Sequence, residues 1–346
     1  MVVEMELRKL QKTGGSSYIV SLPKEWVLAN NLHEQDKVGI MIREDGNLII
    51  IPAVDRELAS KEKEIKVDDI PISDKGKDFL YRLLVGAYIT GYNIIRVTIC
   101  NANRLDPMVT MISRKFKQDV IGLEIIEERH ESIVMKDLLN PQEMRFNVLV
   151  DRISSLVETQ LEDALLAIEQ RDSGISDKVI STDADVNRIH WLILRQYSIL
   201  LSNVTISEKL DKTEKKDANF SLISRSIERI GDHAVRIASN NLELVKTDLS
   251  PEGIELVIKA GRSAIKIFKG TISAFVNDDM YSANEFIDKV VEHTNLCELV
   301  EQHALTLETK AGIALGNIAE SIRRAAEYSA DIAEYAINYL TDKSKF

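Results

Sequence analysis

The stretch SIERIGDHAVRIA, residues 226–238, returns 95 positions later as SIRRAAEYSADIA, residues 321–333, with Ser-Ile in front and Ile-Ala behind in both copies. In the first copy Ile223, Ile227, Ile230, Ala234 and Ile237 recur every three or four residues, the period of a helix with one buried stripe. No strand pattern competes anywhere from Asn140 onward. Pro141 opens a helix running to about Arg171, and further long helices fit 176–206, 217–246, 251–276, 279–308 and 311–341. Breaks at Asp172-Ser173-Gly174, Lys212 to Asp217, Ser250-Pro251, Asn277-Asp278-Asp279 and near Gly312 keep the connections short. Six such helices make a bundle. The matched stretches each lie on the third helix of a triplet, so residues 140–342 read as two three-helix repeats.

Upstream the period changes. Residues 1–56 read as a β domain: a strand at MELRKLQ, a turn at Thr13-Gly14-Gly15, a strand at SSYIVSL, and a short helix through PKEWVLANN. Pro23 suits the first turn of that helix, with Ser21 as its cap. Two apolar strands follow, DKVGIMIR and NLIIIPA, joined by the hairpin signal Glu44-Asp45-Gly46-Asn47. A unit this short buries too little surface to stand comfortably alone, and a second copy is the simplest remedy. Residues 57–75 are densely charged and read as a linker. Residues 76–139 alternate helix, strand, helix and two strands, a small α/β unit. The expected fold is therefore multidomain α+β: a β domain, a small α/β unit and an all-α six-helix bundle.

With 45% hydrophobic and 29% charged residues, the 346-residue chain has the make-up of a soluble globular protein. It has no apolar run of the roughly 18 residues that span a bilayer, so no membrane insertion is expected. Cys100 and Cys297 define no disulfide framework, and the expected compartment is the cytoplasm. A net charge of -11 argues against nucleic-acid binding by the surface as a whole. A local patch escapes that argument. From Arg8 to Lys24 the chain carries Arg8, Lys9, Lys12 and Lys24 and no carboxylate. These cations are either phosphate contacts or the lysine guard of an exposed strand edge.

Glu228 and Asp232 lie four apart beside the apolar stripe, so both carboxylates leave one side of the helix. Such pairs supply the hard oxygen donors that magnesium, manganese or iron takes, completed from facing helices. They equally suit salt bridges, Asp232 with Arg236 and Glu228 with Arg225. Gly231 between them marks a place where something approaches closely. Glu327 and Asp331 repeat the spacing on the last helix, one turn further along. There Arg323 aligns with Glu228, and it can pair with Glu327. No GxxxxGK, GxSxG, HExxH or CxxC motif is present, and no helix offers Glu-x-x-His, so the chain is not expected to be an enzyme.

ERIGDHAVRIA closely resembles the signature of PhoU, the phosphate-uptake regulator family, built of two three-helix repeats with an E(D)xxxD motif on each third helix. The resemblance covers about 143–342. It implies a metal ion at Glu228 and Asp232, whereas Arg323 breaks the pattern in the second repeat. RKLQKTGGSSYIVSLPKEWV with DKVGIMIREDGNLIIIPA resembles the SpoVT/AbrB-like swapped-hairpin domain, an intertwined dimer that binds DNA. Together the two resemble archaeal PhoU-like proteins. The resemblance implies DNA contacts from Arg8, Lys9, Lys12, Ser16, Ser17 and Lys24, with Arg8 best suited to read guanine. It also implies a homodimer and, as partner, a phosphate ABC transporter or its signalling apparatus. The expected function is phosphate-responsive regulation of phosphate uptake. The alternative is an interaction protein that dimerises through its β domain and restrains a transporter without touching DNA.

Overall fold

The computed structural model describes residues 6–15, 17–42, 46–52, 61–68, 70–71, 73–100, 105–139, 145–202, 214–247 and 249–343. The chain divides into two compact units, Met1–Ala59 and Ser60–Phe346.

The first unit holds two antiparallel ribbons with a short helix between them in sequence. Strands β1 (Gln11–Thr13) and β2 (Ser17–Ile19) pair with Lys12 opposite Tyr18. Helix α1 spans Lys24–Ala29, and β3 (Gly39–Ile42) pairs with β4 (Leu48–Ile51). The first strand is shorter and later than expected, since Glu6 to Leu10 lie outside it. Pro23 caps α1 rather than entering it, and no side chain accepts from the helix start, so Ser21 is not the cap. None of this unit's described side chains is buried. Ile40 and Ile42 are 68% and 77% exposed, and Leu10, Tyr18, Leu28 and Leu48 are exposed too.

Of the stretch 57–75 expected to be a linker, the described residues from 61 onward belong to the second unit and carry a strand. Strand β5 (Glu62–Lys66) runs parallel to β6 (Ile94–Thr98), and Ile65, Val67 and Ile70 enter the core. Helix α2 (Asp74–Ile89) makes the crossover. Ser73 caps it by accepting from the Gly76 amide, so it starts earlier than the expected Gly76 boundary. Helix α3 (Pro107–Asp119) follows, with Asp106 as cap. Strands β7 (Leu123–Glu128) and β8 (Ser132–Asp137) complete a sheet of order β5-β6-β8-β7. Leu80, Leu84, Tyr88 and Phe116 from the helices cover Ile95, Val97, Ile133 and Met135 of the strands.

Among the described residues of the remainder there are six helices: α4 (Phe146–Gln170), α5 (Ser173–Ser202), α6 (Glu214–Leu244), α7 (Pro251–Val276), α8 (Met280–Ala304) and α9 (Thr309–Lys343). The expected opening at Pro141 and the 203–206 end of the second helix lie outside the described residues. Arg171 turns the chain out of α4 in the left-handed region, φ 56°, and Ser250 caps α7 ahead of Pro251. Helix α6 lies against α4, α5 and α9, and α9 lies against α6, α7 and α8. The third helices of the two triplets thus form the central seam, where Ile227, Ile230 and Ala234 share a core with Ile318, Ile322 and Ile332. Full burial of an isoleucine contributes about 1.5–3 kcal/mol, so this repeated stripe is a large contributor to the bundle's stability. Among the described residues no helix is long and apolar enough to cross a membrane.

Among the described residues a buried ion pair joins the α/β unit to the bundle. Fully buried Arg195 on α5 donates to the Asp137 carboxylate through Nε at 3.0 Å and Nη2 at 2.6 Å, and to the Tyr88 carbonyl through Nη1 at 2.5 Å. Its guanidinium also lies 4.8 Å from the centroid of the Tyr88 ring.

Candidate functional sites

The acidic site is built where α6 meets α4 and α5. A Cβ added at Gly231 would lie 3.2 Å from Gln160 Oε1, 3.3 Å from Val157 and 3.4 Å from Val186. This is the close approach expected at that glycine. On either side of it Glu228 and Asp232 are half-buried. Among the described residues neither makes an ion pair or a hydrogen bond, so the salt bridges to Arg225 and Arg236 are not formed. Burial, then the charges of Asp232 and Asp183, push the Glu228 carboxyl up to about 7. Burial also raises Asp232, against the opposing pull of Arg236 and Arg229. Asp183 on α5, raised by burial and by Asp232, accepts a 2.8 Å hydrogen bond from Asn187.

Sequence reasoning missed Asp183. Its only local signal is the polar pair Asp183 and Asn187, four apart on a helix otherwise striped with Val179, Val186 and Ile189. Carboxylates in mutual repulsion, with too little positive charge near them, suit a hard cation. The orphaned, buried Gln160 Oε1 adds an unsatisfied oxygen close by. The donor chemistry of Glu228, Asp232 and Asp183 therefore fits magnesium, manganese or iron. Among the described residues no three His, Cys, Asp or Glu side chains close into a ligand cluster.

The second repeat has settled its charge internally. Arg323, aligned with Glu228, is ion-paired with Glu301 of α8 and lies 3.3 Å from Glu320. Arg324, not Arg323, holds Glu327, at 2.8 Å, and also holds Glu320 at 2.8 Å. Burial and the Glu334 and Glu327 charges raise Asp331, with Arg229 opposing them. Guanidinium groups occupy the ground that carboxylates and a cation would share. Glu327 and Asp331 accordingly do not fit the metal expected of them.

In the first unit Arg8, Lys9, Lys12, Ser17 and Lys24 are all exposed. Lys12 and Ser17 share the β1–β2 ribbon, one register step apart, and Gly14 turns its tip at φ 61°. Lys24 opens α1. Arg8 is ion-paired with Glu6, a carboxylate just upstream of the acid-free stretch. Ser16 lies outside the described residues.

The PhoU domain model matches residues 150–240, which run from α4 through the Glu228–Asp232 pair. The chain carries a PhoU domain. Residues 11–58 match the model described as antidote-toxin recognition MazE, bacterial antitoxin, so a MazE/AbrB-like domain precedes it. The "Phosphate-specific transport system accessory protein PhoU homolog" of Pseudomonas aeruginosa is 27% identical over 195 residues, 54% of this chain and 78% of that protein. The "Phosphate-specific transport system accessory protein PhoU" of Escherichia coli is 30% identical over 134 residues, 38% of this chain and 53% of its own length. The match to the Pseudomonas putida homologue, 28% identical, likewise spans about half of that relative, 52%. Crystal structures of PhoU from Pseudomonas aeruginosa (TM-score 0.52, 21% identity) and Streptococcus pneumoniae (TM-score 0.51, 18% identity) share the fold. They cover 57% and 58% of this chain, and 96% and 95% of theirs. The PhoU fold thus accounts for the bundle.

Proposed function

We propose that the chain is a phosphate-responsive regulator of phosphate uptake. Its N-terminal ribbons pair with those of a second copy and contact DNA, and its PhoU bundle senses or relays phosphate status. The observation that carries this reading is the first unit itself: none of its described side chains is buried, yet it presents apolar strands and an acid-free run of cations, in a chain that also carries a PhoU domain. A two-fold axis would cover the apolar side chains and double the cations to eight. Lys9, Lys12 and Lys24 would position the protein on phosphates, with Ser16 and Ser17 donating beside them, and Arg8 would turn from Glu6 to a base edge. Glu228 and Asp232, helped by Asp183, would hold a divalent cation that stiffens α5 against α6. The partner by likeness is a phosphate ABC transporter or its signalling apparatus.

The test is fluorescence anisotropy of the full chain with promoter DNA of phosphate-transport genes, at low and near-physiological salt. Preference over scrambled DNA is expected, with log affinity falling by about 0.9 per log salt for each phosphate neutralised. Arg8→Ala/Lys12→Ala should weaken binding and flatten that slope while the dimer persists in sedimentation. Unchanged binding by this variant removes the patch.

One observation favours a second reading. The Arg8–Glu6 ion pair already neutralises the best base-reading group. An interaction protein that dimerises through its ribbons and restrains a transporter needs no free Arg8. Folded, dimeric protein that binds no DNA at either salt would establish this reading over the first.

A further inference from the structure

A polar cleft of about 640 Å³ opens along the seam between α6 and α9, within the size range of small-ligand sites. His233, Arg236 and Asn240 of α6 line it, with Asn317, Arg324 and Tyr328 of α9. Neither the acidic site nor the DNA-contact reading uses it.

The repeat explains its charge. The 95-residue offset makes Arg229 the counterpart of Arg324, and Asp331 the counterpart of Arg236. On one side of the seam Arg229 lies over the Tyr328 ring at 5.3 Å and is offset by Asp331. On the other side the same two stations hold Arg324 and Arg236, and both are cations. Arg324 is shared between Glu320 and Glu327, and Glu320 also lines the cleft. The Arg236 guanidinium makes no ion pair or hydrogen bond among the described residues, while its backbone carbonyl accepts from Asn240 Nδ2 at 2.8 Å. Arg324 is thus committed to two carboxylates, whereas Arg236, whose charge is felt by Asp232 outside the lining, is the cation that the cleft leaves open to a ligand.

The uncharged groups are also open to a ligand. His233 is 93% buried and its Nδ1 has no partner, while its ring lies 5.7 Å from that of Tyr328, tilted by 36°. Asn240 accepts from Asn317 Nδ2 at 3.1 Å, which leaves donors and acceptors on both amides for hydroxyl groups.

We infer that this cleft binds a phosphorylated small molecule, its phosphoryl oxyanion held by Arg236 and Arg324 and its organic part set against His233, Tyr328 and the two asparagines. The fork of donors on Arg236 matches phosphate oxygens, and Arg324 would add its Nη2 while Nε and Nη1 stay with Glu320 and Glu327. The volume exceeds what a bare oxyanion fills, which favours a phosphate monoester over free phosphate. This deepens the effector half of the regulatory reading, but it is tested without DNA and without metal.

Equilibrium dialysis of the full chain with labelled AMP and labelled orthophosphate decides it. AMP is expected to bind one per chain. Arg236→Gln and Arg324→Gln should each weaken it at least 10-fold, and Arg236→Lys should recover part of the loss. Circular dichroism would confirm that the variants stay folded. Orthophosphate binding as tight as AMP, with the same arginine dependence, would keep the oxyanion site and overturn the monoester. No retention of either probe, or retention equal in Arg236→Gln and the parent, would overturn the inference. Protein that retains AMP but ignores promoter DNA would sink the DNA reading alone.

Discussion

His190 sits inside the bundle with Nδ1 2.6 Å from Ser224 Oγ, and burial together with the Arg225 charge pushes it down to about 4. In the unfolded chain it titrates near 6.5. Its contribution to stability is therefore whole above about pH 6.5 and is lost as the pH falls through about 4, because the unfolded state takes up the proton first. At about 1.4 kcal/mol per pH step, the loss is of order 3 kcal/mol. His190→Gln should cost stability at pH 7.5, yet lose less than the parent between pH 7.5 and 4.5, as read from urea midpoints. Equal losses would show that His190 is not part of the acid response. Glu228 works in the opposite sense, since its raised value penalises the folded state as pH rises towards 7. A bound cation would relieve that penalty and release the proton. Manganese affinity should rise from pH 6 to pH 8, and Glu228→Gln/Asp232→Asn should reduce it at least 10-fold while Asp331→Asn leaves it intact. An equal loss in Asp331→Asn would move the site to the second repeat. The i, i+4 spacing made the Glu228 pair legible in the sequence. Asp183 was not, because its neighbours belong to another helix.

At the scale of elements, helix boundaries followed from caps and breaks that act locally: Ser250-Pro251, Asp279 and Asp172-Ser173-Gly174 each end or begin a helix where their chemistry demands. Strand β5 did not follow from pattern. Its residues are Glu-Lys-Glu-Ile-Lys, four of them charged, and it exists because β6 offers a parallel edge and Ile65 a place in the core. Its open face is matched by charge across the strands, with Arg96 to Glu62 at 2.9 Å and Thr98 to Glu64 at 3.0 Å, contacts between residues 34 apart in sequence. The helix glycines separate into two kinds. A Cβ at Gly261 of α7 would lie 2.3 Å from Leu165 of α4, whereas one at Gly316 of α9 meets nothing within 4 Å. Gly261→Ala should destabilise the bundle by about 1–3 kcal/mol through overpacking. Gly316→Ala should stabilise it by up to about 1 kcal/mol through helix propensity. Thermal melts of the two variants shifting in the same direction would contradict this account.

At the scale of the molecule, the α/β unit and the bundle share a buried charge pair. Arg195 and Asp137 lie 58 residues apart in sequence, and no local pattern announces their contact. Removing one partner strands the other in a dry site, so Arg195→Ala should cost about 3–5 kcal/mol. The loss should appear first as faster amide exchange in α2, whose Tyr88 carbonyl loses its donor. Unchanged protection in α2 would mean that the surrounding apolar contacts suffice. Repeat and bundle could be read from pattern because their contacts recur, whereas this key could not because it occurs once. The first unit raises a matter of timing. Its ribbons are synthesised before anything else in the second unit, and at 5–20 residues per second the rest of the chain takes about 15–60 s to leave the ribosome. For that interval Leu10, Tyr18, Ile40, Ile42 and Leu48 have no interior to enter. If a second copy covers them, as proposed, pairing with it competes over that interval with chaperones and with neighbouring chains on the same message.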